Sequence, residues 1–505
     1  MKNNNSRNVL NSTSNLTHEL FVLTQKRLKN EKKSLTKEEI SKLKALNSII
    51  VEGIEIIKGE SKPPLFKNRI YYMKYKSFFS GKKITVMGLG LLGRGLGIVR
   101  FLAENGADLT VTDLKIEKEL SSSLNKLKKF KIKYVLGKHR LIDFKNRDII
   151  IKAAGVPLKS EYIIEAKKNN IPIEMDASLF FKLSNCKLIG ITGTKGKSTV
   201  THLIYHILKK SNSNVFLGGN VKGLATLPLL EKVNSNSIIV LELDSWQLQG
   251  FGDSKKSPQI SVFTSFSPDH MNYYSNMNTY FKDKSNIFKY QNKNDILIVS
   301  RQANSEIKKR FNKKIESKII ISKKRKFETK LLGEHNQENI NLAYEVLIKL
   351  GLSDSFIRNE IKKYKGEPGR LELVKKINTV SYINDTNGTT PNAVIAALNS
   401  FNKKIILLAG GSDKKLKYDE LAKYIQKKVK LLILFKGKAS DDIIELLPKN
   451  FSVFVVDSMK KAFEIVKKNI KKNDFVVLSP GSASFGVFKN EYDRGEQFIK
   501  QVKIL

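Results

Sequence analysis

A glycine-rich run near the middle of the chain combines lysines with neighbouring hydroxyl residues. The apolar segment 187–191 leads into the loop Gly193–Thr199 (GTKGKST), and a helical pattern follows. In a strand, loop and helix of this kind, backbone N–H groups converge at a helix N-terminus, where Lys197 can reach a phosphate oxygen and the hydroxyls after it a Mg²⁺. The general pattern has glycine where this chain has Ile191, so a surface turn rich in Gly and Lys is the alternative. We favour a nucleoside triphosphate site.

Two further candidate site residues are an acid near the end of one later strand pattern and a histidine in the loop after another. Glu242 is the charged residue in the run 238–243, near its carboxyl end, where ligands of open α/β sheets gather. Such an acid pairs with a cation or with a backbone donor, and beside a phosphate loop we favour Mg²⁺. His270 lies in the loop after the strand pattern 260–264. A lone histidine is weak support for a site, and it gains weight from Glu242 and from a lysine further along.

That lysine, Lys284, occupies an apolar stripe in the helical run Tyr280–Phe288. Aromatic and aliphatic residues stand three and four positions away from it on both sides. A lysine held in apolar surroundings has a lowered pKa, and a neutral amine can add CO₂ to become a carbamate, which is an anionic oxygen ligand. The alternative is a lysine whose stem packs in the core and whose ammonium group reaches water.

A second glycine turn lies nearer the N-terminus. Gly88, Gly90 and Gly93 form a G-x-G-x-x-G pattern after the strand pattern 84–87, and Asp113 stands twenty positions after the third glycine. This spacing fits a dinucleotide fold, in which the acid binds a ribose hydroxyl. Alone it indicates an NAD-dependent oxidoreductase. The alternative is a βαβ unit whose glycines only allow close helix packing.

These residues require α/β domains to position them. Strand and helical patterns alternate from residue 82 onward, which favours sheets covered by helices rather than a solenoid. We predict three domains in series after an N-terminal extension. Their predicted bounds are 1–80 for the extension, helical or partly disordered, 81–178 for a Rossmann-like domain, 179–365 for a P-loop ATPase-like central domain, and 366–505 for a Rossmann-like C-terminal domain.

The composition limits the classes of partner and the cellular compartment that we expect for this chain. The 505 residues include 91 Lys and Arg against 48 Asp and Glu, a net charge of +43. This charge is spread along the chain without an aromatic-rich motif or a basic arm, so we expect no dedicated nucleic-acid role. The single cysteine, Cys186, excludes an intramolecular disulfide. We find no signal peptide or membrane span pattern and expect a cytoplasmic protein.

Short motifs follow one another in a characteristic order over residues 82–505. They are Gly193–Thr199, Leu241–Leu248 (LELDSWQL), Asp269–Met271 (DHM), Tyr280–Phe288, Gly333–Asn339 (GEHNQEN), Pro368–Arg370 (PGR), Asn384–Asp385, Gly410–Lys414 (GGSDK) and Leu478–Phe485 (LSPGSASF). In these motifs the chain resembles the Mur ligase family, ATP-dependent ligases that form amide bonds in peptidoglycan precursor synthesis. The glycine turn with Asp113 and the ending Ser479–Gly495 resemble the members that add D-glutamate to UDP-N-acetylmuramoyl-L-alanine.

The resemblance implies a role for individual residues. ATP would be bound by Gly193, Thr194, Lys195, Gly196, Lys197, Ser198, Thr199, Asn336, Asn339, Arg370 and Asp385. One Mg²⁺ would be held by Ser198 and Glu242, and a second by Glu242, His270 and carbamylated Lys284. The UDP substrate, in place of NAD, would contact Gly90, Leu91, Leu92, Gly93 and Asp113, with its muramoyl part at Asn220. D-Glutamate would contact Thr389, Lys414, Ser484 and Phe485. The catalytic group implied by the resemblance is Lys197, Asn220, Glu242, His270 and Lys284.

The chain departs from the family pattern at three positions. Asn387 stands where a lysine is usual, Leu92 where Thr or Ser is frequent, and Glu491 where an aromatic residue is common. Two of these departures lie where the amino acid would bind, so another amino-acid ligase of the family is the alternative. An NAD-dependent oxidoreductase, or an ATPase acting on nucleic acid, ranks lower, because the phosphate loop opposes the first and no helicase-like motif supports the second. We expect a monomer acting on small molecules.

Overall fold

The computed structural model describes residues 75–91, 93–212, 214–221, 223–271, 273–412, 416–484 and 486–505. Within these ranges the chain forms three α/β domains, each built on its own sheet, as predicted. Residues 1–74 of the predicted extension lie outside the described residues, as do Leu92, Lys414 and Phe485. No helix in the described ranges combines the length and the apolar character needed to cross a bilayer.

The first domain contains the strand, turn, helix and strand expected around the first glycine turn. Its elements are β1 (Lys83–Met87), α1 (Arg94–Glu104), β2 (Asp108–Asp113), α2 (Glu117–Leu127), β3 (Ile132–Leu136), a 3₁₀ turn (Leu141–Phe144), β4 (Ile149–Lys152), α3 (Glu161–Lys168) and β5 (Ile173–Glu174). The strands pair in parallel in the order β3-β2-β1-β4-β5. The carboxyl ends of β1, β2 and β4 therefore share one edge, where ligands of such sheets bind.

The central domain is a six-stranded sheet, and all its strands are parallel. Its elements are α4 (Asp176–Leu183), β6 (Lys187–Thr192), α5 (Lys197–Ser211), β7 (Val215–Gly219), a 3₁₀ turn (Leu227–Glu231), β8 (Ile238–Glu242), α6 (Ser245–Asp253), β9 (Ile260–Phe263), α7 (Met277–Ser285), β10 (Ile296–Val299), α8 (Arg301–Arg310), β11 (Lys318–Ile321), α9 (Glu334–Lys349) and α10 (Asp354–Lys363). Strand β6 lies between β9 and β8 in the order β11-β10-β9-β6-β8-β7. The loops after these three strands therefore meet at one edge.

The third domain is a mixed sheet in the order β12-β13-β17-β14-β15-β16. Its elements are β12 (Glu372–Ile377), β13 (Val380–Asn384), α11 (Pro391–Leu398), β14 (Ile405–Gly410), α12 (Asp419–Lys428), β15 (Val429–Phe435), α13 (Lys438–Glu445), β16 (Val453–Val456), α14 (Met459–Asn469), β17 (Phe475–Leu478) and α15 (Glu491–Ile504). Strands β12 and β13 form an antiparallel hairpin, and the other pairs are parallel. The sequence analysis did not identify this hairpin.

The first and central domains share buried apolar contacts. Ile84 of β1 and Leu241 of β8 belong to one cluster of buried side chains, whereas the third domain packs two clusters of its own on the faces of its sheet. Within the central domain, the buried carboxylate of Asp176 at the start of α4 accepts hydrogen bonds from the backbone N–H groups of Thr226 at 2.7 Å and Leu227 at 2.8 Å. Helix α4 spans the predicted boundary at 178, and the exact domain limits stay a prediction.

We expect Asp176→Ala to destabilise the central domain, because Asp176 ties the start of α4 to the 3₁₀ turn that begins at Leu227. The substitution leaves two buried N–H groups without an acceptor, but burial raises the pKa of Asp176, so its removal also relieves a desolvation cost. The expected net loss is about 2 kcal/mol in the free energy of unfolding. This loss is measured by urea unfolding, monitored through the fluorescence of Trp246, the single tryptophan. The control is Asp108→Ala at the exposed start of β2, and equal unfolding midpoints for the two variants would contradict the structural role.

Candidate active site

The loop between β6 and α5 has the shape of a phosphate-binding loop. Gly193 has φ 147° and Gly196, immediately before α5, has φ 86°, conformations that favour glycine. The segment after β9 supports the loop: the N–H of Thr194 donates to Ser265 O at 2.7 Å, and that of Lys195 to Ser265 Oγ at 2.9 Å. The loop is therefore held in place by the neighbouring strand end.

Helix α9 packs its first turn against the same loop. A Cβ on Gly196 would lie 2.3 Å from Asn339 Oδ1. Asn339 donates to Asn336 Oδ1 at 2.9 Å, and Asn336 donates to Leu332 O at 2.7 Å. The structure thus brings two predicted ATP contacts next to the loop that was predicted to bind the phosphates.

Two lysine amines converge on one carbonyl of the loop. Gly193 O accepts a hydrogen bond from Lys197 Nζ at 3.0 Å and another from Lys284 Nζ at 2.9 Å. Lys197 also donates to Thr194 O at 3.1 Å. Ser198 and Thr199 follow as the next residues of α5 and are half-buried. The lysine at the end of the loop and the lysine of α7 therefore lie side by side.

Lys284 is buried, with 1% of its surface exposed. Its amine also donates to Thr192 Oγ1 at 3.3 Å and lies 5.0 Å from the centre of the Tyr280 ring. Burial, reinforced by the charge of Lys197, lowers the pKa of Lys284 well below its usual value, and the acids nearby only partly oppose this. The predicted helical run is too long, because α7 ends at Ser285, but the residues that follow remain buried beside it.

Glu242 ends β8 next to β6, and Ile191 is its direct neighbour on that strand. Only 5% of Glu242 is exposed, and among the described residues its carboxylate has no hydrogen bond or ion pair. A buried carboxylate without a partner is costly, so a cation beside Glu242 would be stabilising. The backbone carbonyl of Glu242 accepts from the N–H of Asn220 at 2.6 Å, which brings two predicted site residues together.

His270 lies in the loop after β9, with φ 54°. Its ring is stacked obliquely 4.6 Å from that of Trp246, and its Nε2 lies 3.5 Å from Asp269 Oδ2. Burial lowers the pKa of His270; Asp269 opposes this shift, and the charges of Lys284 and Lys197 add to it, which favours the neutral imidazole that binds metals.

A metal centre of unmodified side chains is not formed here. In the described ranges, no three His, Cys, Asp or Glu side chains converge closely enough to hold a metal ion. Glu242 and His270 offer suitable donors, whereas the amine of Lys284 donates hydrogen bonds and repels cations. A carbamate on Lys284 would supply the missing anionic oxygens, so a divalent cation shared by Glu242, His270 and Lys284 fits these residues only with that modification.

The first glycine turn is tied to its acid. The N–H of Gly90 donates to Asp113 Oδ2 at 2.9 Å, and that of Lys115 to Asp113 Oδ1 at 2.9 Å. Gly93, with φ 85°, begins α1, and Leu91 is 58% exposed on the turn. This group of predicted UDP contacts is assembled at the carboxyl edge of the first sheet.

Asp385 organises the predicted residues of the third domain. It is buried, accepts from Ser479 Oγ at 2.7 Å and from the N–H of Leu371 at 3.1 Å, and burial raises its pKa to about 6. Arg370 is exposed beside Leu371, Thr389 is half-buried, and Ser484 is buried after β17. Asp385 therefore joins the strand ends that carry the predicted ATP and amino-acid contacts.

Three domain families match consecutive parts of the chain. They are the Mur ligase MurD-like N-terminal domain over residues 82–174, the Mur ligase middle domain over 191–324, and the Mur ligase glutamate ligase domain over 369–481. A UDP-N-acetylmuramoylalanine–D-glutamate ligase of Borreliella afzelii (strain PKo) is 37% identical over 447 residues, which are 83% of this chain and 97% of that protein. The ligase of the same name from Roseiflexus sp. (strain RS-1) is 33% identical over 84% of this chain and 99% of its own length.

The chain belongs to the Mur ligase family.

Solved structures agree on the fold. UDP-N-acetylmuramate-alanine ligase MurC of Thermotoga maritima has a TM-score of 0.54 at 17% identity and covers 84% of this chain and 99% of its own. MurF ligase of Thermotoga maritima, in complex with ADP, has a TM-score of 0.51 at 17% identity, over 72% of this chain and 97% of its own. The three-domain arrangement of this Mur ligase is thus confirmed.

Sequence reasoning missed two cations of this Mur ligase. Arg94, the first residue of α1, donates from Nη2 to Asn220 Oδ1 at 3.1 Å and so connects the first and central domains. Arg494 of α15 is fully buried and donates to the backbone carbonyl of Thr386 at 2.9 Å. For Arg94 the available signal was its position directly after a glycine turn. No sequence signal pointed to a buried Arg494, because an arginine in an amphipathic helix normally lies on the face exposed to solvent.

We expect Gly196→Ala to weaken nucleotide binding without unfolding the protein. The new Cβ would collide with Asn339 Oδ1, and φ 86° is strained for alanine, so the loop must move. The affinity for ADP, measured by isothermal titration calorimetry, should fall at least about tenfold. Gly155→Ala is the control, because a Cβ there meets no atom within 4 Å. An unchanged affinity in Gly196→Ala would mean that this loop does not hold the phosphates.

Proposed function

We propose that this Mur ligase joins D-glutamate to UDP-N-acetylmuramoyl-L-alanine, with ATP hydrolysed to ADP and phosphate, in peptidoglycan precursor synthesis. The observation that carries the proposal is the similarity to ligases named for this reaction over nearly their whole length. The amines of Lys197 and Lys284 at one loop carbonyl support the phosphoryl-transfer part. Because ATP is consumed, we place the reaction in the cytoplasm.

The reaction we propose has two steps. A carboxylate oxygen of the muramoyl-alanine substrate attacks the γ-phosphorus of ATP, and the bond to the β-phosphate oxygen breaks, giving an acyl phosphate and ADP. The amine of D-glutamate then attacks the acyl carbon, loses a proton, and phosphate leaves. Most of the acceleration would come from positioning the three substrates and from stabilising charge on the phosphoryl group.

Lys197 would stabilise the transferred phosphoryl group. Its amine now donates to carbonyls of its own loop, so phosphate oxygens would replace those acceptors when ATP binds. The N–H groups at the start of α5 would add to this binding. Asn336 and Asn339 would hold the nucleotide from α9, and Arg370 and Asp385 would approach it from the third domain.

Mg²⁺ ions would neutralise charge on the phosphates when bound. We propose Ser198 and Glu242 as ligands of one ion, and Glu242, His270 and a carbamate on Lys284 as ligands of the other. The unpaired carboxylate of Glu242, the neutral imidazole of His270 and the lowered pKa of Lys284 support this donor set.

Substrate-dependent release of phosphate tests the overall reaction. Purified protein is incubated with ATP, Mg²⁺ and UDP-N-acetylmuramoyl-L-alanine, and D-glutamate, L-alanine, L-lysine or meso-diaminopimelate is added in separate assays. We expect phosphate release only when D-glutamate is the amino acid added. Mass spectrometry should then show a product heavier than UDP-N-acetylmuramoyl-L-alanine by one glutamyl residue. Turnover with a different amino acid would move the chain to another activity of the family, an outcome that Asn387 and Glu491 make worth testing.

Replacement of Lys284 tests the carbamate. Lys284→Ala should lower kcat about 100-fold or more, because it removes both the amine and the ligand formed on it. Formate or acetate should partly restore activity by occupying the place of the carbamate. Lys282→Ala, on the exposed side of the same helix, is the matched control and should retain activity.

The same proposal predicts a dependence on CO₂. Carbamylation needs a neutral amine, and the lowered pKa makes that form available near neutral pH. Wild-type activity should therefore fall in CO₂-depleted buffer and return with bicarbonate. Full activity of Lys284→Ala, or no response of either protein to carboxylates and bicarbonate, would overturn the role of Lys284.

A further inference from the structure

The sheet of the third domain has a second edge, opposite the carboxyl edge where Asp385 and Ser484 lie. Strands β13, β17, β14 and β15 begin at this second edge, and the antiparallel β12 ends there. Helices α12 and α14 also end there, because a crossover helix runs back from the carboxyl end of one strand to the start of the next. The surface that results, which we call the lysine edge, is formed by segments 375–379, 402–404, 427–430 and 467–474.

The lysine edge is strongly basic. Its segments contain eleven lysines and one acid, Asp474. Nine of the lysines are exposed, and they are Lys375, Lys376, Lys403, Lys404, Lys427, Lys467, Lys468, Lys471 and Lys472. The carboxylate of Asp474 is buried, and its Oδ2 accepts from Lys430 Nζ at 2.6 Å and from the backbone N–H of Lys471 at 2.6 Å. The negative charge of Asp474 is therefore directed inward and does not offset the exposed lysines.

Hydrogen bonds between the segments hold the lysine edge together. The N–H of Asn473 donates to Thr379 Oγ1 at 2.9 Å, and the carbonyl of Asn473 accepts from Lys403 Nζ. Lys428 Nζ donates to Phe401 O at 3.0 Å. Neighbouring strands lie about 4.8 Å apart, so the starts of four strands extend over about 15 Å. The positive charge is thus spread over a broad surface rather than gathered in a pocket for one small anion.

Exposed lysines elsewhere in the third domain differ from those of the lysine edge. Lys438 pairs with Asp442 at 2.8 Å, and Lys461 pairs with Asp457 at 2.7 Å. Among the described residues, no acid forms an ion pair with any of the nine exposed lysines of the lysine edge. The concentration of unpaired charge is therefore local to this surface and is not only a consequence of the basic composition of the chain.

The residue types of the lysine edge indicate the chemistry of its partner. Its segments contain no arginine and no aromatic residue. Nucleic-acid sites depend largely on arginine forks and, for single strands, on aromatic rings that stack on bases. A lysine is instead a point charge on a flexible stem, and several lysines together match the mobile negative charges of lipid headgroups. An anionic lipid surface is therefore the partner that these residues favour.

We propose that the lysine edge binds the surface of a membrane that contains anionic lipids. The contact is peripheral and electrostatic, with the lysine ammonium groups at the level of the headgroups. The residues of the candidate active site in this domain lie at the opposite edge of the same sheet, so a bound enzyme would keep them open to substrates. This binding goes beyond the proposed reaction and does not depend on it.

Vesicle binding by the 505-residue chain tests the proposal. Protein is sedimented with vesicles of phosphatidylcholine that contain about one third phosphatidylglycerol, and with vesicles of phosphatidylcholine alone, at about 0.15 M NaCl. We expect wild type to bind the anionic vesicles at least about tenfold more tightly than the neutral ones. The difference should shrink as the salt concentration rises, because salt screens the exposed charges.

Two sets of substitutions with equal charge change locate the binding surface. The first replaces Lys467, Lys468, Lys471 and Lys472 of the lysine edge by Gln. The matched control replaces Lys308, Lys309, Lys313 and Lys324, exposed lysines of the central domain, by Gln. The first set should weaken binding to anionic vesicles about tenfold or more, and the control less than about threefold. Lys375→Gln combined with Lys376→Gln and Lys427→Gln is a second arm on the same surface and should weaken binding about fivefold.

Thermal unfolding midpoints show that each variant folds, and ligase turnover without vesicles should match wild type in all of them. Binding to a labelled RNA duplex at the same salt concentration is measured in parallel. Equal weakening of vesicle binding by the control and by the lysine-edge variants would overturn the proposal, because net charge alone would then account for the binding. Lysine-edge variants that lose RNA binding and keep vesicle binding would also overturn it, in favour of a nucleic-acid partner.

Discussion

The carbonyl oxygen of Gly193, shared by two lysine amines, is the interaction on which the candidate site depends. It accepts from both Lys197 and Lys284, and φ 147° at Gly193 is a backbone conformation that favours glycine at this position. Helix α7 is fixed from behind by Asp283, whose carboxylate accepts from Gln249 at 2.7 Å and from Tyr274 at 3.0 Å. Two cations at one acceptor repel each other, so the more buried amine is the one that loses its proton readily. Loop shape, helix position and the chemistry of Lys284 therefore follow from one contact.

The three domains are joined to one another in different ways. The first and central domains share an apolar cluster, whereas the third has its own core and follows a linker that contains Gly366 and Gly369. Glu367 of this linker pairs with His202 at 3.0 Å and accepts from Tyr364 at 2.7 Å. His202 belongs to α5, so the linker is anchored on the helix that begins at the phosphate loop. Two domains that share a core, with a third on a short anchored linker, would suit the proposed reaction, which must bring three substrates together.

Local spacing was enough to predict the parts of the site that lie within one strand, loop and helix. The phosphate loop, the turn Gly88–Gly93 with Asp113, and the burial of Lys284 all follow from glycine positions or from helical periodicity. The hairpin of β12 and β13 was missed because β12 has no fully buried residue and no apolar run longer than Leu373–Val374. Arg94 was missed for a different reason: its partner Asn220 is more than a hundred residues away, and only the packing of two domains brings them together. Motif order identified the family, but contacts between domains had to come from the structure.

In the third domain, the departure from the family pattern at Asn387 lies within a network of hydrogen bonds around the loop 385–389. Arg494, fully buried in α15, donates to Thr386 at both its side chain and its backbone, and Thr386 Oγ1 donates in turn to Glu491 O at 2.6 Å. This clamp fixes the loop 385–389. Within that loop, the amide of Asn387 donates to Pro368 O at 3.2 Å in the linker, so the residue that replaces the usual lysine adds a contact to the hinge and no charge to the pocket. In the proposed reaction, recognition of the D-glutamate carboxylates would then fall to the other contacts that the resemblance implies, with Lys414 as their cation.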